Sequence, residues 1–199
     1  MDLLHALDII STFVFALVGA RVAADRGLDY GGIAFIATIA SIAGGTLRNV
    51  FLGLTPVWIN DPWILASVLT AVIITLSLRR VTHVGKILLA LDTFALAVAT
   101  LSGTQLAFEL EVPWFSSIML GVITAVTGGL LRDVLCQVEP VLLHRETIGT
   151  AALMGASVFV LLNQLSAPLN IAVLAGGLVV IATRFISIRF DLHLPKFKK

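Results

Sequence analysis

Gly44-Gly45-Thr46-Leu47-Arg48-Asn49 interrupts an apolar stretch that runs from Tyr30 to Gly53. Its echo, Gly128-Gly129-Leu130-Leu131-Arg132-Asp133, interrupts another such stretch 84 residues later. Each copy sets a glycine pair and an arginine inside a run long enough to cross a bilayer. Glycine weakens a helix by about 1 kcal/mol relative to alanine, and arginine at the centre of a membrane helix costs roughly 2.5–3.5 kcal/mol on insertion scales. Both penalties at matching places imply a locally opened backbone beside a buried charge, and an intramembrane charge is a functional-site hypothesis from the outset.

The rest of the chain supplies the membrane context. Of 199 residues, 58% are hydrophobic and 13% charged, with a mean hydropathy of +1.04. A soluble domain carries about 25% charged residues, so this composition excludes a soluble fold and leaves no room for a large extramembrane domain. The net charge of +1 points to no nucleic-acid partner. The single Cys136 excludes an internal disulfide and any multi-cysteine metal site. Met1-Asp2 lacks a basic leader, so the first apolar run is expected to be a retained helix rather than a cleaved signal.

Seven membrane spans are expected, at Leu3–Val22, Tyr30–Gly53, Pro62–Leu78, Lys86–Phe108, Pro113–Cys136, Glu146–Leu162 and Pro168–Ile188. Each is long enough for a hydrocarbon core of about 30 Å. The connections are short and punctuated by Gly27, Pro56, Gly85 and Pro140. The class is an all-α membrane protein, one transmembrane domain over residues 1–199. With seven spans, the loops after spans one, three and five share a side with the C-terminus. That side carries every lysine and arginine outside the two motifs, from Arg21 and Arg26 to Lys199, while the other has Asp2, Asp61, Glu109 and Glu111. The positive-inside rule then puts the N-terminus outside and the C-terminus in the cytoplasm.

The echo extends beyond the glycine motif. At the same offset, Asp8 matches Asp92, Gly19 matches Gly103, and Pro56 matches Pro140, among fifteen identities in the 52 positions from Ala6 to Val57. Shared apolar composition cannot account for coincident Asp, Gly-Gly, Arg and Pro. Residues of about 3–80 therefore repeat as about 87–164, with a seventh helix at about 168–188 left over. Three spans per unit is an odd number, so the second unit enters the membrane from the opposite side. The result is an inverted three-helix repeat, in which a pathway lies where the halves meet.

Five charges fall within the apolar spans away from the basic face: Asp8, Arg48, Asp92, Arg132 and Asp133. Asp8 and Arg48 lie at similar depth in the first half, as do Asp92 and Arg132 in the second. Two carboxylate–guanidinium pairs are expected, because an unpaired charge there is expensive. Such pairs serve structure about as often as function, and the glycine pairs have a packing alternative in close helix contact through small residues. The functional reading gains from the combination, since carbonyls exposed by a loosened turn suit a cation. On that reading leucine at Gly44 or Gly128 closes the path and spares the fold. His5, His83, His144 and His193 lie near span ends without metal-ligand spacing. Trp58, Trp63 and Trp114 fit an aromatic belt, and Lys196-Phe197-Lys198-Lys199 fits contact with anionic lipid headgroups. No nucleophile arrangement or phosphate loop is present, so no enzyme and no cofactor is expected.

Seven spans, an inverted duplication and Gly-Gly-x-x-Arg-Asp/Asn in spans two and five resemble the trimeric intracellular cation channels in their prokaryotic form, a bacterial membrane family also labelled glycine transporter. The resemblance covers essentially the whole chain. It implies a homotrimer with one pore per subunit, lined by spans two and five kinked at their glycines and conducting potassium and also sodium. Carried over by position, Gly44, Gly45, Arg48 and Asn49 belong to one half of the pore. Gly128, Gly129, Arg132 and Asp133 belong to the other, with Asp8 and Asp92 as charge partners and no metal beyond the permeant ions. The family's third glycine is replaced by Thr46 and Leu130, and its first acid by Asn49. The animal members' lipid-binding basic motif is not identifiable. The expectation is a potassium channel of a bacterial inner membrane. The rivals are a secondary transporter of a small zwitterion such as glycine, and a scaffold sealed by its ion pairs.

Overall fold

The computed structural model of the chain describes residues 3–78, 85–138 and 147–190. Among these residues eight helices follow in order: α1 Leu3–Asp25, α2 Tyr30–Phe51, α3 Val57–Asn60, α4 Pro62–Ser77, α5 Gly85–Glu109, α6 Trp114–Leu135, α7 Thr147–Gln164 and α8 Leu169–Phe190. Six of them, all but α3 and α4, are long and apolar enough to cross a membrane. The fold is that of an all-α, multi-pass membrane protein. The apolar α4 has 16 residues, about 24 Å of helix at 1.5 Å per residue.

Local chemistry explains the helix ends. The Asp29 carboxylate accepts from Gly32 N at 2.7 Å and starts α2. Asp61 accepts from Trp63 N at 2.9 Å, with Pro62 opening α4, where a missing N–H costs nothing. α1 continues past Val22 to Asp25, its last turn held by an Arg21–Asp25 pair at 2.9 Å. The connection after α2 contains the single turn α3. The start of span six at Glu146, His83, His144, His193, and the basic residues Arg79, Arg80, Arg145 and those of the tail lie outside the described residues.

The turns recur with the sequence. α1 stops at Gly27 (φ 75°) and α5 at Glu111 (φ 58°); α2 stops at Gly53 (φ 69°) and α6 at Gln137 (φ 52°). Each pair is 84 residues apart. The amide beyond each left-handed residue folds back onto the helix: Leu28 N donates to Ala23 O and Val112 N to Ala107 O, at 3.2 and 3.1 Å. Leu54 N likewise donates to Asn49 O and Val138 N to Asp133 O, at 2.8 and 2.9 Å. These bonds satisfy carbonyls that the helix end would leave orphaned.

Packing follows the same plan. α1 lies against α2 and α4, α5 lies against α6 and α7, and the two groups meet where α1 packs on α5 and α2 crosses α6. α8 covers α5 and α7 from outside. Lipid tails are as apolar as leucine, so burial alone gives helices little reason to associate, and close backbone approach through small residues takes over. Ala16, Ala20, Ala37 and Ala71 are fully buried, and a methyl group on Gly19 would press on Ala37 and Ala40.

Candidate functional site

The two motif arginines sit in the last turns of α2 and α6, each facing a carboxylate from the neighbouring α1 or α5. Arg48, 1% exposed, donates from Nη1 and Nη2 to the two oxygens of Asp8, both at 2.9 Å. This bidentate fork is among the strongest pairings a protein makes. Its Nε donates to Asn49 Oδ1 at 2.9 Å, and Asn49 Nδ2 donates to the Thr55 carbonyl at 2.8 Å. In the second half Arg132 Nη1 donates to Asp92 Oδ1 at 2.7 Å, and Nε to Asp133 Oδ1 at 2.8 Å. Asn49 thus keeps the hydrogen bond that Asp133 makes at the equivalent place, without the charge.

One participant comes from across the repeat. Ser102, fully buried on α5, accepts from Arg48 Nη1 at 2.6 Å and donates to Asp8 Oδ1. It ties the first charged site to the second half. The residue 84 positions earlier is Val18, so no periodic signal points to it.

The glycines of each pair divide their roles. Helical structure continues unbroken through Gly44-Gly45 and Gly128-Gly129, so the expected opening of the helix is absent. A β-carbon on Gly44 would collide with the carbonyl oxygen of Thr124, and one on Gly128 with that of Ala40. The first glycine of each pair is therefore required by the crossing of α2 and α6. This overturns the expectation that leucine at Gly44 or Gly128 spares the fold. The second glycine of each pair faces space. Nothing lies within 4 Å of a β-carbon on Gly45, and only Arg132 Nη2, at 3.7 Å, approaches one on Gly129.

That space forms two small cavities, one beside each charged site. The first, of about 30 Å³, is bounded by Asp8, Ser11, Thr12, Gly45, Arg48 and Trp58, and reaches down to the α2–α6 crossing at Gly44 and Gly128. The second, of about 20 Å³, is bounded by Asp92, Leu96, Gly129, Arg132, Asp133 and Ile148. Each exceeds the 10–15 Å³ or so that one water needs. Trp58 roofs the first cavity from α3, its Nε1 donating to Thr46 Oγ1 at 3.1 Å. It departs from the aromatic belt in which Trp63 and Trp114 stay exposed. His5 meets Asp61 at 2.7 Å, and among the described residues no cluster of His, Cys, Asp and Glu is placed to hold a metal.

Known proteins share the whole of this architecture. The family model described as glycine transporter matches residues 5–80 and again 89–164. The UPF0126 inner membrane protein YadS of Escherichia coli (strain K12) is 33% identical over 199 residues, covering 98% of this chain and 96% of that protein. A solved trimeric intracellular cation (TRIC) channel orthologue from Rhodobacter sphaeroides superposes with a TM-score of 0.89. It is 32% identical and covers 96% of this chain and 100% of that one. A second structure, solved to explain conductance through TRIC cation channels, superposes at 0.86 with 30% identity, over 100% of this chain and 98% of that one. These solved relatives are membrane channels, not enzymes. With such matches along its full length, the chain belongs to the trimeric intracellular cation channel family in its prokaryotic form, the bacterial membrane family also described as glycine transporter.

Proposed function

We propose that the protein is a cation channel of a bacterial inner membrane, with potassium as its principal permeant ion, assembled as a homotrimer with a separate path through each subunit. The path runs between the α1–α5 and α2–α6 layers, past Asp8, Arg48 and Asn49 in one half and Asp92, Arg132 and Asp133 in the other. The observation that carries this reading is the pair of cavities flanking the α2–α6 crossing, each bounded by a charged pair and by the second glycine of its motif. In a bilayer α4 serves as the third span, giving seven spans and opposite orientation of the two halves. The two family matches at an offset of 84, the recurring turns and the reciprocal glycine contacts support that arrangement. The N-terminus is then external and the C-terminus cytoplasmic.

The size of the cavities weighs against a transporter of glycine. About 30 Å³ holds a water or two, or an unhydrated ion of similar size, but not a five-heavy-atom zwitterion. Four of the five N–H groups of the Arg48 guanidinium are also engaged by Asp8, Ser102 and Asn49, leaving no free two-donor face for a substrate carboxylate. Purified protein in a planar bilayer tests the assignment. Unitary currents that reverse near the potassium equilibrium potential are the expected result. Saturable glycine flux into liposomes without such currents would replace the channel with the transporter.

A further inference from the structure

We infer that the Phe15 side chain is the barrier that keeps the two cavities apart, which places the gate of the path on α1 rather than on the glycine-bearing helices. The inference rests on the conduction reading above and names its narrowest point. Asp8, Ser11, Thr12 and Phe15 follow one another at helical spacing and form one stripe along α1. Asp8, Ser11 and Thr12 all border the first cavity, and the polar stripe ends at Phe15. Phe15 also borders the second cavity, where its neighbours are Leu96 and Ala125. A single apolar ring thus forms the end wall of both polar spaces.

The repeat shows what the ring does. The residue 84 positions after Phe15 is Ala99, which lines the first cavity without obstructing it. At this position a large aromatic on α1 is paired with a methyl group on α5. Phe15 is 5% exposed and belongs to one buried apolar cluster with Ala95, Leu96, Ala99 and Ala125. A hydrophobic constriction between wetted chambers blocks ions by excluding water. Conduction requires the ring to swing aside, and its size sets how often that happens.

The test is single-channel recording of the wild type, Phe15→Ala, Phe15→Leu and Phe15→Trp in planar bilayers with symmetrical potassium chloride. Time-averaged current is expected to rise roughly tenfold in Phe15→Ala, to rise less in Phe15→Leu, and to fall below wild type in Phe15→Trp. A ring that only packs the core would lower thermal stability in Phe15→Ala and leave the currents of assembled protein unchanged. Unchanged currents across the series, with a conducting wild type, overturn the gate and leave the channel standing. If Phe15→Ala does not assemble, the order Leu above Phe above Trp decides, and any other order overturns the gate. Silence in every protein, wild type included, removes the channel assignment and the gate with it.

Discussion

Replacing Asp8 by asparagine should damage the protein more than the equivalent change at Asp92, although the repeat makes the two residues counterparts. Among the described residues Arg48 has one carboxylate partner, Asp8, supported by the neutral Ser102 and Asn49. Arg132 has two, Asp92 and Asp133. Asp8→Asn therefore leaves a buried guanidinium with no counter-charge, a loss of about 3–5 kcal/mol. Asp92→Asn removes one charged hydrogen bond and leaves Asp133 in place, a loss of about 1.5–3 kcal/mol. Asn49→Asp in the Asp8→Asn background places a carboxylate at Arg48 Nε, as Asp133 is placed at Arg132 Nε, and should restore part of the loss. The cost is the Asn49 bond to the Thr55 carbonyl, so full recovery is not expected. The assay is reversible unfolding in mixed detergent micelles, with the coupling read from the double-mutant cycle. Equal losses for Asp8→Asn and Asp92→Asn, or no recovery with Asn49→Asp, would refute the account of how the two arginines are neutralised.

Three further outcomes follow from the geometry. Gly44→Ala and Gly128→Ala drive a methyl group into a backbone carbonyl and should each cost at least the ~1–3 kcal/mol of an overpacked core, seen as lost folded yield, whereas Gly45→Ala should express as wild type. Trp58→Phe gives up the bond to Thr46 and should lower stability by about 0.5–1.5 kcal/mol while raising the reactivity of a cysteine placed at Thr12 towards a water-soluble thiol reagent in a Cys136→Ala background; unaltered labelling would mean that α3 does not roof the first cavity. A reporter fused after Lys199 should read as cytoplasmic and one before Asp2 as external, and two reporters on the same side would remove the opposed orientation of the halves.

The sequence displayed the parts of this site that are written twice. Asp and Arg at a common offset, in spans that must lie side by side, lead to the Asp8–Arg48 and Asp92–Arg132 contacts because a buried charge has few affordable neighbours. What occurs once could not be read in that way. Ser102 stands opposite Val18 in the repeat, and nothing local in Leu101-Ser102-Gly103 says that its hydroxyl reaches a pair formed by the other half. Trp58 looked interfacial because its partner, Thr46, is reached only when α3 folds back over α2. The glycine pairs were legible as special, with bending and close packing both open as the reason. Small residues permit a close approach, but which helix comes near, and which glycine of each pair it meets, belongs to tertiary structure.

The α2–α6 crossing is in effect a symmetric dimer interface enclosed in one chain. Gly44 meets the carbonyl of Thr124, and Gly128 meets the carbonyl of Ala40; positions 40 and 124 are themselves 84 apart. The same patch therefore faces itself, as in a two-fold oligomer where residue i touches j and j touches i. Such a contact is ready-made for two copies of a half-length chain, before any linker joins them. It also sets how the joined halves are free to diverge. What each glycine meets is a main-chain oxygen, present whatever side chain stands beside it, so Ala40 has drifted from Thr124 without relaxing either glycine. Only a shift of a whole helix would release them, and because the contact is shared, that shift would have to suit both halves together.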